Sequence, residues 1–92
     1  MNSCYAVRKF MPNTDGTIST SLEALTENLY LAERVISNYY RESFGEDGGY
    51  LVCESAYEWG TRKYWMRDNY RKNGATYFEV YEEEIKDDAA LL

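Results

Sequence analysis

Apolar residues recur every three or four positions between Thr20 and Phe44, and this stripe limits the folds open to the chain. Such spacing lines one face of an α-helix. A capping box formed by Thr20 and Glu23 indicates the start, and Gly45 stands where a left-handed residue usually ends a helix. The sequence therefore predicts one long amphipathic helix over residues 20–44 that covers one side of the core. Its core-facing residues are Leu22, Leu25, Leu29, Ala32, Ile36 and Tyr39.

Three further residues, Tyr30, Val35 and Tyr40, lie beside this stripe and leave two interpretations open. In the first, they widen the apolar side that packs on the core. In the second, one of them lies outside the core and offers a surface to a partner. Burial in the folded chain decides between the two.

Two other segments alternate between apolar and polar positions as half-buried strands do. Residues 3–11 predict a first strand, with Cys4 and Ala6 facing away from its other side chains. Residues 76–81 predict a later strand with Phe78 and Val80 on one face and Tyr77, Glu79 and Tyr81 on the other. Residues 12–17 carry Pro, Asn, Asp and Gly and predict a plain turn, because they lack the later acidic positions of a calcium loop.

The segment between Tyr50 and Ile85 has two interpretations, of which the first is a three-stranded antiparallel meander. A two-residue turn at Gly60-Thr61 would join the first two strands of this meander. That register creates two opposite-charge pairs and one aromatic pair, which neighbouring strands favour. The pairs are Glu58 with Lys63, Tyr57 with Tyr64, and Glu54 with Arg67.

The dipeptide Asn73-Gly74 has a different role in each interpretation. In the meander it predicts a hairpin into residues 75–84, with a longer loop because a strict two-residue turn would place Asp68 opposite Glu79. In the rival interpretation it ends a second helix over residues 56–72. That helix would begin with a capping box of Ser55 and Glu58 and would end with Arg71 and Lys72 near its negative pole.

We favour the meander because residues 56–72 contain no Leu, Ile or Val and are rich in Tyr, Trp and Thr. The predicted fold is α+β, with one N-terminal strand, one long amphipathic helix and then an antiparallel three-stranded meander (β-α-β-β-β). The alternative is β-α-β-α-β with a small three-stranded sheet. The 92 residues predict a single small domain over residues 1–85 and an acidic and apolar C-terminal tail, residues 86–92, that frays.

The chain is acidic, with 16 Asp and Glu residues, 10 Lys and Arg residues and a formal net charge of −6. This balance argues against direct binding to nucleic acid, because the phosphate backbone requires Lys and Arg to replace its counterions. No apolar run reaches the length of a membrane span, and Arg8 and Lys9 interrupt the one candidate signal peptide. We therefore expect a cytoplasmic protein without membrane contact.

The sequence offers little for catalysis. It contains no histidine, which removes the commonest general base, the usual catalytic triads and most zinc sites. Cys4 and Cys53 lie in apolar-rich segments, which favours reduced and buried thiols, with a disulfide as the alternative. We expect no catalytic residue, no metal ligand and no cofactor, and so a protein that is not an enzyme.

Aromatic residues make up 16% of the chain, and several stand among charges. At least half of them should form the core, while exposed Tyr and Trp beside Arg and Glu are typical of protein interfaces. We predict a small acidic protein-binding module whose partner is a protein with a basic surface. The predicted partner-binding residues are Glu46, Asp47, Glu54, Glu58, Trp59, Trp65, Glu79, Tyr81, Glu82, Glu83 and Glu84.

One concrete form of this hypothesis is a phage or mobile-element inhibitor. It would dock on the basic nucleic-acid-binding surface of a host defence protein and present carboxylates where phosphates would lie. A sheet that stacks RNA bases would also place Trp65, Arg67 and Tyr81 together, but the net charge argues against it.

Two further hypotheses remain. The chain could be a homo-oligomeric structural or accessory domain, a homodimer for example, that buries an aromatic sheet face against its own copy. It could also be a metal-dependent hydrolase that uses Glu54 and Glu58 together with Glu79 or Glu82. Sixteen carboxylates guarantee some close pairs, so composition alone does not remove the hydrolase.

Overall fold

A computed structural model describes residues 2–55 and 61–85 of the chain. The described elements are five strands, one helix and two short 3-10 turns. In chain order they are β1 (Asn2–Pro12), β2 (Ile18–Thr26), α1 (Leu29–Phe44), a 3-10 turn (Glu46–Gly49), β3 (Leu51–Ser55), β4 (Arg62–Met66), a second 3-10 turn (Arg67–Asn69) and β5 (Tyr77–Ile85). The predicted tail, residues 86–92, lies outside the described residues.

The strands form one antiparallel sheet in the order β2-β1-β5-β4-β3, and α1 packs on one of its faces. The α+β class and the antiparallel meander, formed by β3, β4 and β5, are confirmed. The strands predicted at residues 3–11 and 76–81 are present as β1 and β5. The rival second helix over residues 56–72 is wrong, because Arg62–Met66 is a strand.

Residues 18–26 form a strand where the sequence predicts the first part of the helix. A β-bulge in the ladder between β1 and β2 leaves Glu23 without a Cα partner. The extra residue shifts the alternation, so Leu22 and Leu25 point to the same face although they are three positions apart. This spacing imitates a helix. The predicted helix over residues 20–44 is therefore wrong over residues 20–28 and confirmed over Leu29–Phe44. Strand β2 adds one strand to the predicted order.

Helix α1 begins after Asn28 and not at the predicted capping box of Thr20. The Oδ1 atom of Asn28 accepts a hydrogen bond from the N–H of Leu31 at 2.9 Å and so satisfies an amide that the helix leaves free. The predicted end is confirmed. Gly45 has a φ of 75°, and its N–H donates to the carbonyl of Arg41 at 2.8 Å.

The core lies between α1 and the covered face of the sheet. Ala32, Ile36 and Tyr40 are the buried helix residues. They pack on apolar side chains from three strands: Val7, Tyr64, Met66, Phe78 and Val80. Tyr40 meets the ring of Phe78 edge-on at a centroid distance of 5.4 Å, which is a geometry that aromatic pairs prefer. Aromatic contacts thus supply much of the core in a chain that has few aliphatic residues after Cys53.

Tyr40 also anchors the helix through its hydroxyl. Its O–H donates to the carbonyl of Thr76 at 2.7 Å, just before β5 begins. Burial raises the pKa of Tyr40, so the group remains a donor across the physiological range. Of the residues beside the apolar stripe, Tyr40 and Val35 pack on the core, whereas Tyr30 is 60% exposed.

A tight turn at Asn13–Thr17 joins β1 to β2, as the sequence predicts. The N–H of Gly16 donates to the carbonyl of Asn13 at 3.2 Å, and the N–H of Asn13 donates to the carbonyl of Thr17 at 2.8 Å. Gly16 has a φ of 90°, the left-handed conformation of a hairpin that closes with a bulge. Asp15 Oδ1 accepts hydrogen bonds from the hydroxyl and N–H of Thr17, which lower the pKa of that carboxyl.

The register between β3 and β4 differs from the prediction. Lys63 pairs with Glu54, Tyr64 with Cys53 and Arg62 with Ser55. The described ladder runs as far as the pair of Ser55 with Arg62, so its register is not the one that a two-residue turn at Gly60-Thr61 would produce. The predicted partners Tyr57 and Glu58 lie outside the described residues. The predicted longer loop at Asn73-Gly74 is confirmed, because Lys63 and not Asp68 pairs with Glu79.

The cap of α1 gives a direct test of where the helix begins. Replacement of Asn28 by Ala removes the acceptor for the N–H of Leu31, and we expect the free energy of unfolding to fall by about 1 kcal/mol. Asn28→Asp, which keeps an acceptor oxygen, should retain most of the stability. Urea denaturation followed by circular dichroism measures both. Equal stability of Asn28→Ala and wild type would contradict this helix start.

Candidate partner-binding surface

Within residues 2–55 and 61–85, no helix lies on the face of the sheet opposite α1, and we call this face the open face. Because side chains alternate along a strand, the ladder register identifies its members. They are Ile18, Thr20, Leu22 and Leu25 of β2; Cys4, Ala6, Arg8 and Phe10 of β1; Tyr77, Glu79, Tyr81 and Glu83 of β5; Lys63 and Trp65 of β4; and Val52 and Glu54 of β3.

A row of aromatic side chains crosses the open face. Phe10 and Tyr77 stack with parallel rings at a centroid distance of 5.0 Å, and Tyr77 lies 4.9 Å from Trp65. Tyr70, from the loop before β5, meets Trp65 edge-on at 6.2 Å. The Nζ atom of Lys63 lies 4.3 Å from the centre of the Tyr77 ring, within the range of a cation–π contact. The rings of the aromatic row therefore form a continuous band in which each ring contacts the next.

Trp65 is one of the predicted partner-binding residues, and it is only 7% exposed. The loop that carries Tyr70 and the ring of Tyr77 cover it from the open side. Its indole N–H has no hydrogen-bond partner within the described ranges. Trp65 therefore packs under Tyr70 and Tyr77, and these neighbours, not Trp65, are available for contact with a partner.

A second row, beside the aromatic row, alternates in charge. Arg8 and Lys63 are the Cα partners of Glu79 on its two sides, and Lys63 is also the partner of Glu54. Opposite charges at directly opposed positions stabilise a sheet, whereas like charges would destabilise it. This charge row places two predicted partner-binding residues, Glu54 and Glu79, among cations of the same molecule.

Glu54 also binds the loop that follows β4. The Nη2 atom of Arg71 lies 2.6 Å from its carboxylate, and the hydroxyl of Tyr70 donates to the same oxygen. These hydrogen bonds, that of Tyr70 first, hold the pKa of the Glu54 carboxyl below its ordinary value. The predicted pair of Glu54 with Arg67 is wrong, because Arg67 lies in the 3-10 turn after β4.

The remaining predicted residues lie at opposite ends of the sheet. Glu82 and Glu83 are exposed near the end of β5, on the covered and open faces respectively, and Glu84 follows them in the strand. Ser3 donates a hydrogen bond to Glu82 at 2.8 Å. Glu46 is exposed in the turn after α1, near the start of β5, and Asp47 lies in the same turn. Glu58 and Trp59 lie outside the described residues.

Tyr81, the last predicted aromatic contact, is half-buried on the open face. Its hydroxyl accepts a hydrogen bond from Nε of Arg8. This contact ties Tyr81 to the charge row and fixes the Arg8 side chain across β1 and β5. Tyr81 thus lies between the charge row and the carboxylates at the end of β5.

Sequence reasoning missed the apolar margin of the open face. Ile18, Leu22 and Leu25 of β2 are 51%, 48% and 59% exposed. The leucines were expected in the core because their spacing fits a helix. The Ser and Thr residues between positions 17 and 21, which favour strands and turns over helix interiors, were the signal for β2.

The described residues offer no obvious reaction centre. Within the described ranges, no group of three His, Cys, Asp or Glu side chains is placed to hold a metal ion. Cys4 and Cys53 are free thiols and belong to opposite faces of the sheet, so the predicted disulfide alternative is wrong. Cys53 is exposed, contrary to the expected burial of both cysteines. No described helix has both the length and the apolar character needed to cross a membrane.

No protein-family model matches the chain, and comparison with curated proteins and with solved structures found no match. The open face, with its apolar margin, aromatic row and charge row, is the candidate partner-binding surface.

The contact between Glu54 and Tyr70 predicts a pKa change that can be measured residue by residue. Tyr70→Phe removes the donor and should raise the pKa of Glu54 towards its ordinary value in a carboxyl-detected NMR titration. Because the pKa is lowered in the folded chain, the stabilisation from ionised Glu54 is present above the ordinary Glu pKa and is lost as pH falls through the lowered value. Tyr30→Phe, at an exposed tyrosine, is the control. An unchanged Glu54 titration in Tyr70→Phe would contradict the contact.

Proposed function

We propose that this chain is a non-enzymatic protein-binding module whose open face docks on a partner protein with a basic surface. The observation that supports the proposal best is the exposed apolar margin, Leu22 and Leu25, beside an aromatic row on a face without a helix. Clustered apolar and aromatic side chains with a polar rim are typical of protein interfaces. We place the module in the cytoplasm, where two free thiols remain reduced.

Charge supports the choice of a basic partner. The net charge is −6, and the described ion pairs join Lys9 to Glu23, Arg67 to Asp68 and Arg71 to Glu54. None of these described pairs includes Glu82 or Glu83, which are exposed carboxylates at the end of β5 beside the open face. In this division of roles, the net charge accelerates encounter and the apolar contacts determine how long the complex lasts.

A phage or mobile-element inhibitor remains the concrete form of this proposal. In it, Glu82, Glu83 and Glu84 would occupy phosphate positions in a nucleic-acid-binding cleft. The small size and acidity of the chain support this form. Its partner would bind either this protein or nucleic acid, but not both.

The second candidate is a homo-oligomeric accessory domain that buries its aromatic face against its own copy. The rings of the aromatic row already contact one another, and Trp65 is buried in the single chain. This burial leaves less aromatic area for a second copy than the sequence suggested. No observation favours the metal-dependent hydrolase.

Two variants separate the roles of apolar contact and charge. Leu22→Ser with Leu25→Ser alters the apolar margin, and Glu82→Gln with Glu83→Gln alters the acidic end of β5. The control, Glu42→Gln with Glu46→Gln, removes the same charge at the end of α1; Glu46 belongs to the predicted set, but it lies apart from Glu82 and Glu83. A basic partner is first captured on the wild-type protein from a lysate of the cells in which the protein is made, and its binding is then measured by surface plasmon resonance at low and high salt.

We expect the leucine variant to bind about tenfold more weakly or worse, mainly through faster dissociation. The Glu82 and Glu83 variant should associate more slowly and depend less on salt, and the control should change less. If the partner binds nucleic acid, added duplex should displace it. Binding that is insensitive to salt and to both variants would contradict the proposal.

A further inference from the structure

Strand β2 is at the edge of the sheet, and no other described strand pairs with its outer side. The turn fixes which backbone groups are free. The carbonyl of Thr17 accepts a hydrogen bond from the N–H of Asn13, just after β1. Because this direction alternates along an antiparallel ladder, Ser19 and Ser21 also direct their backbone groups towards β1, and Ile18, Thr20 and Leu22 direct theirs outwards. These three alternate residues thus offer their backbone N–H and C=O groups to a further strand.

The first part of this edge, residues 17–22, lacks the devices that usually protect an edge strand. Such strands commonly carry a charge, a proline or a bulge. Residues 17–22 contain no charged residue and no proline, and the bulge at Glu23 comes only after them. The opposite edge strand, β3, carries Glu54. Residues 17–22 are therefore an uncharged stretch of sheet edge, open to pairing with another strand, in a protein whose net charge is −6.

The segment from Ile18 to Leu22 is complementary to itself. Its sequence is Ile-Ser-Thr-Ser-Leu, symmetric in residue character about Thr20. In an antiparallel pair with its own copy, centred on Thr20, Thr20 faces Thr20, and Ile18 faces Leu22 on both sides of the axis. All of these are outward residues, so each pair can exchange two backbone hydrogen bonds. Thr–Thr and apolar pairs are favourable at opposed positions.

The helix leaves room for this contact. Ser19 and Ser21 point to the covered face but are exposed, because α1 runs from the end of β2 towards Thr76 at the start of β5. The helices of two copies therefore stay away from the shared edge. From the free edge, the self-complementary register and the absence of charge, we propose that a second copy of this chain binds β2 in an antiparallel, two-fold pair centred on Thr20.

The contact is short, so the dimer should be weak and depend on concentration. Its partner is different from that of the proposed function, and its failure would leave that proposal intact. The two are also separable by mutation. Leu25 lies beyond the bulge, so Leu25→Ser should leave self-association unchanged.

A charge placed on the two-fold axis gives the sharpest test. In Thr20→Lys or Thr20→Glu, each variant alone sets like charges opposite each other and should dissociate several-fold more readily than wild type. An equimolar mixture of the two variants sets Lys opposite Glu and should recover the dimer. Sedimentation velocity over a range of protein concentrations measures all three. Asn38→Lys and Asn38→Glu, at an exposed helix position, are the matched controls and should not respond to mixing.

A backbone variant tests the hydrogen bonds themselves. Thr20→Pro removes an N–H that points away from β1, which an edge strand tolerates, and should weaken the dimer by about tenfold or more. Circular dichroism verifies that the variant is folded, and Thr20→Val keeps the N–H as its control. A wild-type chain that stays monomeric at the highest concentration would overturn the inference. So would a dimer that persists in both charged variants and gains nothing on mixing.

Discussion

The one α-helix of the described residues is 16 residues long and covers one face of the sheet, while contacts between neighbouring strands stabilise the other face. The charge row and the aromatic row do so by joining neighbouring strands side by side. Ala6 is 1% exposed although no helix of the described residues lies above it, and its ladder partners on the same face are Leu25 and Tyr81. The open face is therefore ordered in the single chain. A surface of this kind loses little conformational entropy when a partner binds.

The loop between β4 and β5 contributes two of the contacts that stabilise the open face. Arg71 has a φ of 56°, a left-handed conformation that a non-glycine residue adopts only when its surroundings favour it. The turn it makes brings Tyr70 onto Trp65 and the Arg71 side chain onto Glu54. One strained residue thus links the aromatic row to the charge row. Because Arg71 and Tyr70 of this loop bind Glu54, this carboxylate is not free on the open face, whereas Glu83 is exposed there.

Local sequence patterns predicted the features that only neighbouring residues determine. The alternation of β1 and β5, the turn after Pro12 and the glycine that ends α1 all follow from neighbouring residues. The bulge at Glu23 could not be predicted, because one inserted residue gives a strand the spacing of a helix. The partners of Glu54 could not be predicted either, since they depend on how far the chain travels between β3 and β4. The charge row could not be predicted for the same reason, because its members are neighbours only in the observed strand register.

The two proposed contacts use different physics, and the fold keeps them compatible. An antiparallel pair of β2 strands has its two-fold axis perpendicular to the sheet, so the two open faces would lie side by side on the same side of the dimer. Ile18 of one copy would then adjoin Leu22 of the other, and the apolar margins would merge into one area. The exposed Glu82 and Glu83 of each copy lie at the end of β5 and not on the shared edge, so repulsion between the copies stays small. A partner with two basic sites would engage both faces at once and gain avidity from a self-association that is weak by itself.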